Sequence, residues 1–532
     1  MPASPETSTT VSAPGKVLLA GGYLVLESPN PGYVIAADKR FYTTVKDVPN
    51  TDKEFNTILV KSPQFHTAWN YSFFSADGSV SLECNSSTTT IDGVDQDAKT
   101  NQFVEKTLRV FLAYLKAAQD SDEQQHPLQS LEITIRADND FYSVRSHLQE
   151  QNCNKVEDLP RFCNCPVDSE TGVVTFNKTG LGSSAALATS LIGALYYHWF
   201  RKLELRNIHN LAQICHCYAQ GKVGSGFDVS AAMYGPHVYR RFPLCILPDL
   251  LQQLDHEPTT ISPMASMLLD QVVHSSWYST TSAPSYSSED EDEENFGEDS
   301  KDRKRANDDD DSSIPAPLPL PEGLQLLLAD ICGGSESPSM AKTVLKWKQT
   351  HFFQSPTNIP HWTSLQKWNQ KLISLLETIA VQETPSLQND VDQLAILHAS
   401  EWGTAANHPL LTELHETLKH CRTELKGMGE AAGVPIEPDV QTQLIDATMA
   451  LKGVVGAVVP GAGGYDAIAC LYIDKAEVKE SIEQLWARWK PSSPSSTESE
   501  GQEESESKNI VCPLSVQAAN EGIRLETDFE EA

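Results

Sequence analysis

The stretch "NKTGLGSSAALATS", residues 177–190, places Gly-Leu-Gly-Ser-Ser directly before an apolar run that reads as the first turns of a helix. Gly180 and Gly182 admit backbone angles and close approaches that a side chain forbids. Ser183 and Ser184 stand where hydroxyls cap the free N–H groups of a helix start. The same arrangement is an anion site, because those N–H groups and the helix dipole both favour a phosphate there. On these residues alone a capped helix after a tight turn and a phosphate loop are both open, and the rest of the chain has to choose between them.

The surroundings narrow the choice. The chain has 532 residues, room for two or three domains and a substantial core. Lys and Arg number 40 against 72 Asp and Glu, a formal net charge of −32. That charge is uneven: residues 285–312 hold thirteen acids and four bases, and 491–508 hold five acids and one Lys. What remains is a moderately acidic globular body, which argues against nonspecific nucleic-acid binding. The eleven cysteines are scattered, and the close pairs Cys163/Cys165 and Cys215/Cys217 lack zinc-finger spacing, so reduced thiols are expected. The start "MPASPETSTTVSAPGK" has no basic, apolar leader, and no apolar run approaches the ~18 residues of a membrane span. A cytoplasmic protein without membrane, nucleic-acid or obligatory protein partners is expected.

Along the first half, "KVLLAGGYLVL", "GYVIAA", "LEITIRA", "GVVTFN" and "HVYRRF" read as strands, and 183–199 and 207–220 as helices. The acidic, low-hydrophobicity stretch 278–321 reads as a disordered insert. "GLQLLLADI", "GVVGAVV" and "DAIACLYI" follow as strands, with a helix marked by Leu365, Trp368, Leu372, Leu375 and Ile379 and others near 388–402, 409–426, 438–451 and 475–489. Strands and helices mix without a regular βαβ period, which indicates an α+β fold.

Three glycine-rich turns stand in separate regions: "APGKVLLAGG" at 13–22, "KTGLGSSAA" at 178–186 and "PGAGGYDA" at 460–467. Three such turns beside apolar strands or helices suggest a shared anionic ligand. A Walker A loop is excluded, since "QGKVGSG" runs from Gly-Lys into Val223. Gly180-x-Gly182-x-x-Ala185 matches the dinucleotide fingerprint, but it lacks a βαβ unit and the acidic strand end near 200–205.

These blocks resemble the signature regions of the GHMP small-molecule kinases. With "DNDFYS" (138–143), "AQGKVGSGFDVSAAMYG" (219–235) and "GVPIEPDVQTQLIDATMALKGVVGAVVPGAGGYDAIA" (433–469), the resemblance is to the fungal members that act on 5-phosphomevalonate. It implies a two-lobed α+β fold, with an N-terminal lobe like domain 2 of ribosomal protein S5 and a ferredoxin-like C-terminal lobe. It also implies ATP and Mg²⁺ as cofactors and 5-diphosphomevalonate as product. The expected division is a flexible 1–10, a first lobe 11–277 with the ATP loop, the insert 278–321, a second lobe 322–490, an acidic linker 491–508, and a last strand and tail 509–532.

Carried onto this sequence, the resemblance puts the ATP phosphates against Lys178, Thr179, Gly180, Leu181, Gly182, Ser183, Ser184, Ala185 and Ala186, with Ser184 as the Mg²⁺ ligand. Lys16 and Asp228 become the catalytic pair. The implied acceptor is already ionised near neutral pH, so Asp228 is expected to orient the acceptor or Lys16 more than to abstract a proton. Ser335 and Ser337 of "GGSESPSM" and Gly461, Ala462, Gly463 and Gly464 are expected to seat the substrate, although a helix cap and a tight turn fit those residues as well. Two departures stand out. The helix before Asp228 reads "ICHCYAQ" where related kinases supply a Glu to the metal, leaving His216, Cys217 and Gln220 there. Phe176 stands where the family has Pro. A sister kinase acting on an alcohol, and an ATP-binding sensor on the same fold, are the alternatives.

Overall fold

The computed structural model describes residues 8–28, 30–49, 56–76, 79–85, 100–120, 129–153, 155–168, 170–171, 173–256, 260–277, 314–331, 337–355, 357–382, 384–465, 467–490, 511–527 and 529. The sequence-expected insert, through residue 313, and the linker 491–508 lie outside them.

β1 (Ser8–Ala20) and the long β2 (Gly32–Val48) form the spine of a ten-stranded sheet. β3 (Asn56–Ser62), β4 (Thr67–Ala76) and β5 (Ser79–Asn85) make a meander, joined to the spine through β6 (Ser130–Ala137). β6 pairs antiparallel with β2 and parallel with β3. β7 (His237–Tyr239) adds to β2, and β8 (Thr260–Ile261) adds to β5. Helices Gln102–Asp120, Ser183–Phe200 and Leu205–Gln220 pack together, the second lying on β1 and β2. Ser183–Phe200 is apolar on nearly every side and is accordingly a central, almost fully buried helix.

β9 (Leu324–Asp330), β10 (Val454–Val458) and β11 (Ala467–Ile473) form the second sheet, in the antiparallel order β10-β11-β9. Helices Pro409–Ala432 and Asp439–Met449 cover β10, and Trp362–Gln382 lies along the former. The largest apolar cluster runs unbroken from Val11 and Ile35 of the first sheet to Leu326 of the second and to Trp362 and Leu414 on the helices beside it. Among the described residues no helix is long and apolar enough to cross a membrane.

The C-terminal segment joins the two sheets. β12 (Cys512–Pro513) is the edge strand beside β9, β13 (Ala518–Ala519) pairs with β2, and β14 (Arg524–Glu526) pairs with β1. Val511, Leu514 and Val516 are buried along this path.

Several expectations are corrected. Residues 8–10, assigned to a flexible N-terminus, belong to β1. Residues 314–321, assigned to the insert, lie along the first lobe: Pro317 bridges His237, the Leu318 N–H donates to the Pro236 carbonyl, and the Tyr33 hydroxyl donates to the Leu318 carbonyl. In "GVVTFN" the described residues 173–177 form one isolated bridge, Val174 to Val167, because their side chains are mostly exposed and no described strand runs beside them.

Candidate active site

The site begins at a defect in β1. Pro14 supplies no N–H to a ladder, and the pairing with β2 shifts register between Pro14 and Lys16. Gly15, at that shift, lets the 178–186 loop close on the strand. A Cβ there would lie 3.1 Å from the Leu181 carbonyl and from the Phe141 ring. The Lys16 N–H donates to the Leu181 carbonyl at 2.9 Å, and Lys16 Nζ donates to the Gly180 carbonyl at 2.7 Å. The first and second glycine-rich turns are therefore one assembly, with Lys16 across the mouth of the second.

Gly180 and Gly182 adopt φ of 82° and 79°, conformations that strain any other residue. Gly182 caps the Ser183–Phe200 helix without a side-chain hydrogen bond. The capping alternative for Ser183 and Ser184 is thus not taken, and of the first turn of this 18-residue helix Ser183 and Ser184 line the cleft. The loop rests on residues 140–143: Thr179 Oγ1 donates to the Asp140 carbonyl at 2.5 Å, and the Ser143 N–H donates to the Asn177 carbonyl at 2.8 Å.

Ser184 Oγ lies 3.1 Å from His216 Nε2, on the helix Leu205–Gln220. The same nitrogen is 3.1 Å from Gln220 Nε2 and 3.7 Å from Asp228 Oδ2, at the start of the short helix Phe227–Tyr234. His216 is buried, and burial pushes its imidazolium below the usual histidine range. Asp228 Oδ1 accepts from the Val229 N–H at 3.0 Å, so one oxygen fixes the side chain and the other faces the cleft.

These groups line a cleft of about 1230 Å³ between the lobes. Among the described residues, its charged lining comprises six cations, Lys16, Lys178, Lys222, Arg241, Lys342 and Lys346, against Asp228 and Asp330. In a chain of net charge −32 that local excess of positive charge suits a polyanionic ligand. Lys178 stands exposed at the wall, although desolvation by the surrounding atoms pushes its ammonium down. Arg241 braces the loop, donating to the carbonyls of Leu26 and Gly224. Asp330 is buried and accepts from Ser143 Oγ at 2.8 Å and from Arg145 Nε at 3.4 Å.

The third turn closes the cleft from the second lobe. Gly461 donates its N–H to the Leu18 carbonyl at 3.3 Å. Gly463 has φ 80°, and a Cβ there would meet the Ile436 carbonyl at 2.3 Å. Gly461, Ala462 and Gly463 line the cleft, and Gly464 instead donates to the Ile436 carbonyl behind it.

The structure brings Lys16, Asp228, residues 178–184 and 461–463 to one cleft. It does not bring Ala185 and Ala186, which are buried in the first lobe and donate their N–H groups to the Gly182 carbonyl. Ser335 lies outside the described residues. Ser337 begins the helix Ser337–Gln354. The sequence reading passed over Lys342 and Lys346, whose i,i+4 spacing after the serine-rich turn was the available signal, and Tyr23 and Asp330, which had none. It named His216 only as a group unsuited to Mg²⁺.

A divalent metal fits here in one way. Among the described residues no group of three or more His, Cys, Asp or Glu could enclose an ion. Ser184 and Asp228 present hard oxygens on either side of His216, which suits an ion that arrives with its shell largely filled by phosphate oxygens and water.

Comparison with known proteins agrees with this geometry. Residues 156–236, which carry the loop, His216 and Asp228, match the GHMP kinases N terminal domain. A phosphomevalonate kinase of Aspergillus fumigatus is 32% identical over 517 residues, covering 91% of each chain. A peroxisomal phosphomevalonate kinase of Arabidopsis thaliana is 31% identical, covering 90% of this chain and 92% of its own. A Lin0012 protein of Listeria innocua shares the fold, with a TM-score of 0.54 at 15% identity over 98% of this chain and 100% of its own. With about one-third of positions identical to the Aspergillus and Arabidopsis enzymes over nine-tenths of its length, and the GHMP kinases N terminal domain across the loop and Asp228, the chain belongs to the phosphomevalonate kinase branch of the GHMP kinases.

Proposed function

We infer that the protein transfers the γ-phosphoryl group of ATP to 5-phosphomevalonate, releasing ADP and 5-diphosphomevalonate. The carrying observation is one cleft that joins a glycine-capped helix start, Lys16, Asp228 and an excess of cations, in a chain one-third identical to phosphomevalonate kinases along nearly its whole length.

Phosphoryl transfer asks the protein for positioning and charge neutralisation rather than covalent chemistry. An oxygen of the acceptor phosphate forms the new bond to the γ-phosphorus. The bond to the β–γ bridging oxygen breaks, and its electron pair leaves with ADP. In this reading Lys178 and the amides at Gly182–Ser184 hold the nucleotide phosphates. Lys16, already held across the loop by the Gly180 carbonyl, stands ready to neutralise charge on the transferred group. Asp228 orients the acceptor, whose oxygen needs no base, and Gly461–Gly463 shape its seat. Mg²⁺, held by Ser184 and the nucleotide, would supply further neutralisation of the phosphate oxygens. The cytoplasm is the proposed location, in keeping with a sequence whose cysteines are scattered and show neither zinc-site nor small-disulfide-domain spacing.

The test is ADP release by the purified protein with Mg·ATP and 5-phosphomevalonate, mevalonate or galactose, with the product identified by mass. Turnover on 5-phosphomevalonate alone is expected. Turnover on an alcohol would make Asp228 a base, and nucleotide binding without turnover would favour a sensor.

A further inference from the structure

One wall of the cleft is built by the helix Leu205–Gln220, and the groups it presents there are His216 and Gln220, with Lys178 and Lys222 near enough for their charge to act on the imidazole. The imidazole is held rather than loosely placed. It is 2% exposed, its ring lies 5.6 Å from that of Phe103, and Nε2 faces three cleft atoms within 3.1–3.7 Å. The Ser184 hydroxyl and the Gln220 amide lie within hydrogen-bond distance and the Asp228 carboxylate just beyond it, so the ring stands between the helix start of the phosphate loop and the helix that carries Asp228.

The charge of this wall matters as much as its geometry. Asp228 is its single carboxylate, and Asp330, the other acid of the cleft, is engaged by Arg145. Imidazole and amide are chemically able to fill this place as hydrogen-bonding groups that never carry negative charge. A carboxylate at either position would stand beside Asp228 as a like charge, on the side where two polyanions must meet.

We propose that His216 is a positioning residue and a determinant of acceptor class: it fixes the Ser184 hydroxyl and spaces it from Asp228 while keeping a second negative charge off this wall, which suits an acceptor that is itself a phosphate. The proposal rests on the 5-phosphomevalonate reading. A wild-type protein that does not phosphorylate 5-phosphomevalonate overturns that reading, whereas the variants below test His216 once wild-type turnover is in hand.

The experiment compares His216→Glu, His216→Gln and Gln220→Glu in the full-length chain. Each is assayed for kcat, acceptor KM and the Kd of Mg·AMPPNP at low and high ionic strength. His216→Glu is expected to raise the acceptor KM by about tenfold or more, with nucleotide Kd within about threefold. Gln220→Glu places the same charge on a partly exposed residue, so it is expected to move acceptor KM in the same direction even if His216→Glu folds poorly. His216→Gln, which retains an amide N–H near Nε2, is expected to lower kcat by about three- to tenfold with acceptor KM little changed. The proposal is overturned if both Glu variants leave acceptor KM within about threefold, if the rise in the partly exposed Gln220→Glu is independent of salt, or if His216→Gln raises it as much as His216→Glu.

Discussion

The Tyr23 hydroxyl donates to the Ala462 carbonyl at 2.6 Å, joining the first glycine-rich loop in one lobe to the third in the other. The bond has a backbone cost. Tyr23 sits at φ 63°, ψ −38°, with the Leu24 N–H donating to the Gly22 carbonyl at 2.8 Å, the strained positive-φ form of a γ-turn. Burial pushes the phenol well above its ordinary pKa, so the hydroxyl remains a donor at any working pH. Tyr23→Phe keeps the ring and removes only the donor. It is expected to cost about 0.5–1.5 kcal/mol of stability, the usual net worth of one hydrogen bond, because the half-buried Ala462 carbonyl stays open to water from the cleft. It is also expected to raise acceptor KM more than nucleotide Kd, because the loosened segment is 461–463. Denaturant titration and steady-state kinetics check both effects; equal changes in the two ligands would show that the bond serves the fold alone.

Asp140 couples the C-terminal segment to the phosphate loop. Its carboxylate accepts from the Ser515 N–H at 2.7 Å and from Ser515 Oγ at 3.1 Å, while its own carbonyl receives Thr179 Oγ1. Burial outweighs nearby Lys39 and the Ser515 bonds and pushes the carboxyl up to about 6 from an ordinary 3.8. The folded chain therefore binds more protons than the unfolded chain between about pH 4 and 6, and stability falls as pH rises through that window. The penalty at neutral pH is at most about 3 kcal/mol for this group. Asp140→Asn is expected to flatten that fall, gaining stability relative to wild type at pH 7 and little at pH 4. Urea denaturation of both proteins across pH 4–7 reads the difference, and a parallel pair of curves would remove Asp140 from the account.

The sequence was most legible where one residue type does one job. Glycines at 180, 182, 461 and 463 hold positive φ, as a phosphate-type turn demands, and the apolar period of Leu365–Ile379 is a helix. The meander β3–β5 was not read, since strands such as "NTILVKS" are short and half-polar and owe their register to β6. Residues 314–321 were misread because Pro-rich composition says nothing about a neighbouring surface that receives it. Tyr23 and Asp330 could not be found, since each acts through partners remote in sequence, Ala462 for Tyr23 and Ser143 and Arg145 for Asp330. His216 was visible as a residue type, but its role depends on where two helix starts converge.

The path of the C-terminal segment predicts an unusually costly small substitution. Gly522 passes so close to the Phe227–Tyr234 helix that a Cβ would lie 2.1 Å from the Met233 carbonyl and 2.7 Å from the Gly235 nitrogen. Its own carbonyl accepts from the buried Arg40, and the next N–H, of Ile523, donates to Met233. Gly522→Ala must displace main chain on one side or the other. A loss of more than about 2 kcal/mol is expected, in the range of overpacked core sites. Because the displaced helix carries Asp228, a fall in kcat should accompany it. Thermal melts with parallel assays decide the matter, and an unchanged Tm would mean that the segment moves aside at little cost.

Asp228 offers the sharpest test of the acceptor chemistry. One carboxylate oxygen is fixed by the Val229 N–H and the other points past His216 toward the cleft. Asp228→Asn retains the oxygen that accepts from Val229 and exchanges the other for an amide, preserving shape while removing charge. If the group orients a phosphate acceptor or Lys16 through its charge, kcat should drop by more than about tenfold with nucleotide affinity within about threefold. The pH profile separates orientation from base catalysis. A general base confers a rate that falls as it is protonated, and Asn abolishes that acid limb. An orienting carboxylate opposite an ionised acceptor leaves an acid limb in the variant, because protonation of the acceptor phosphate itself still limits the rate. Survival of that limb in Asp228→Asn, shifting with the acceptor's own phosphate ionisation, is the expected result; its complete loss would make Asp228 the base.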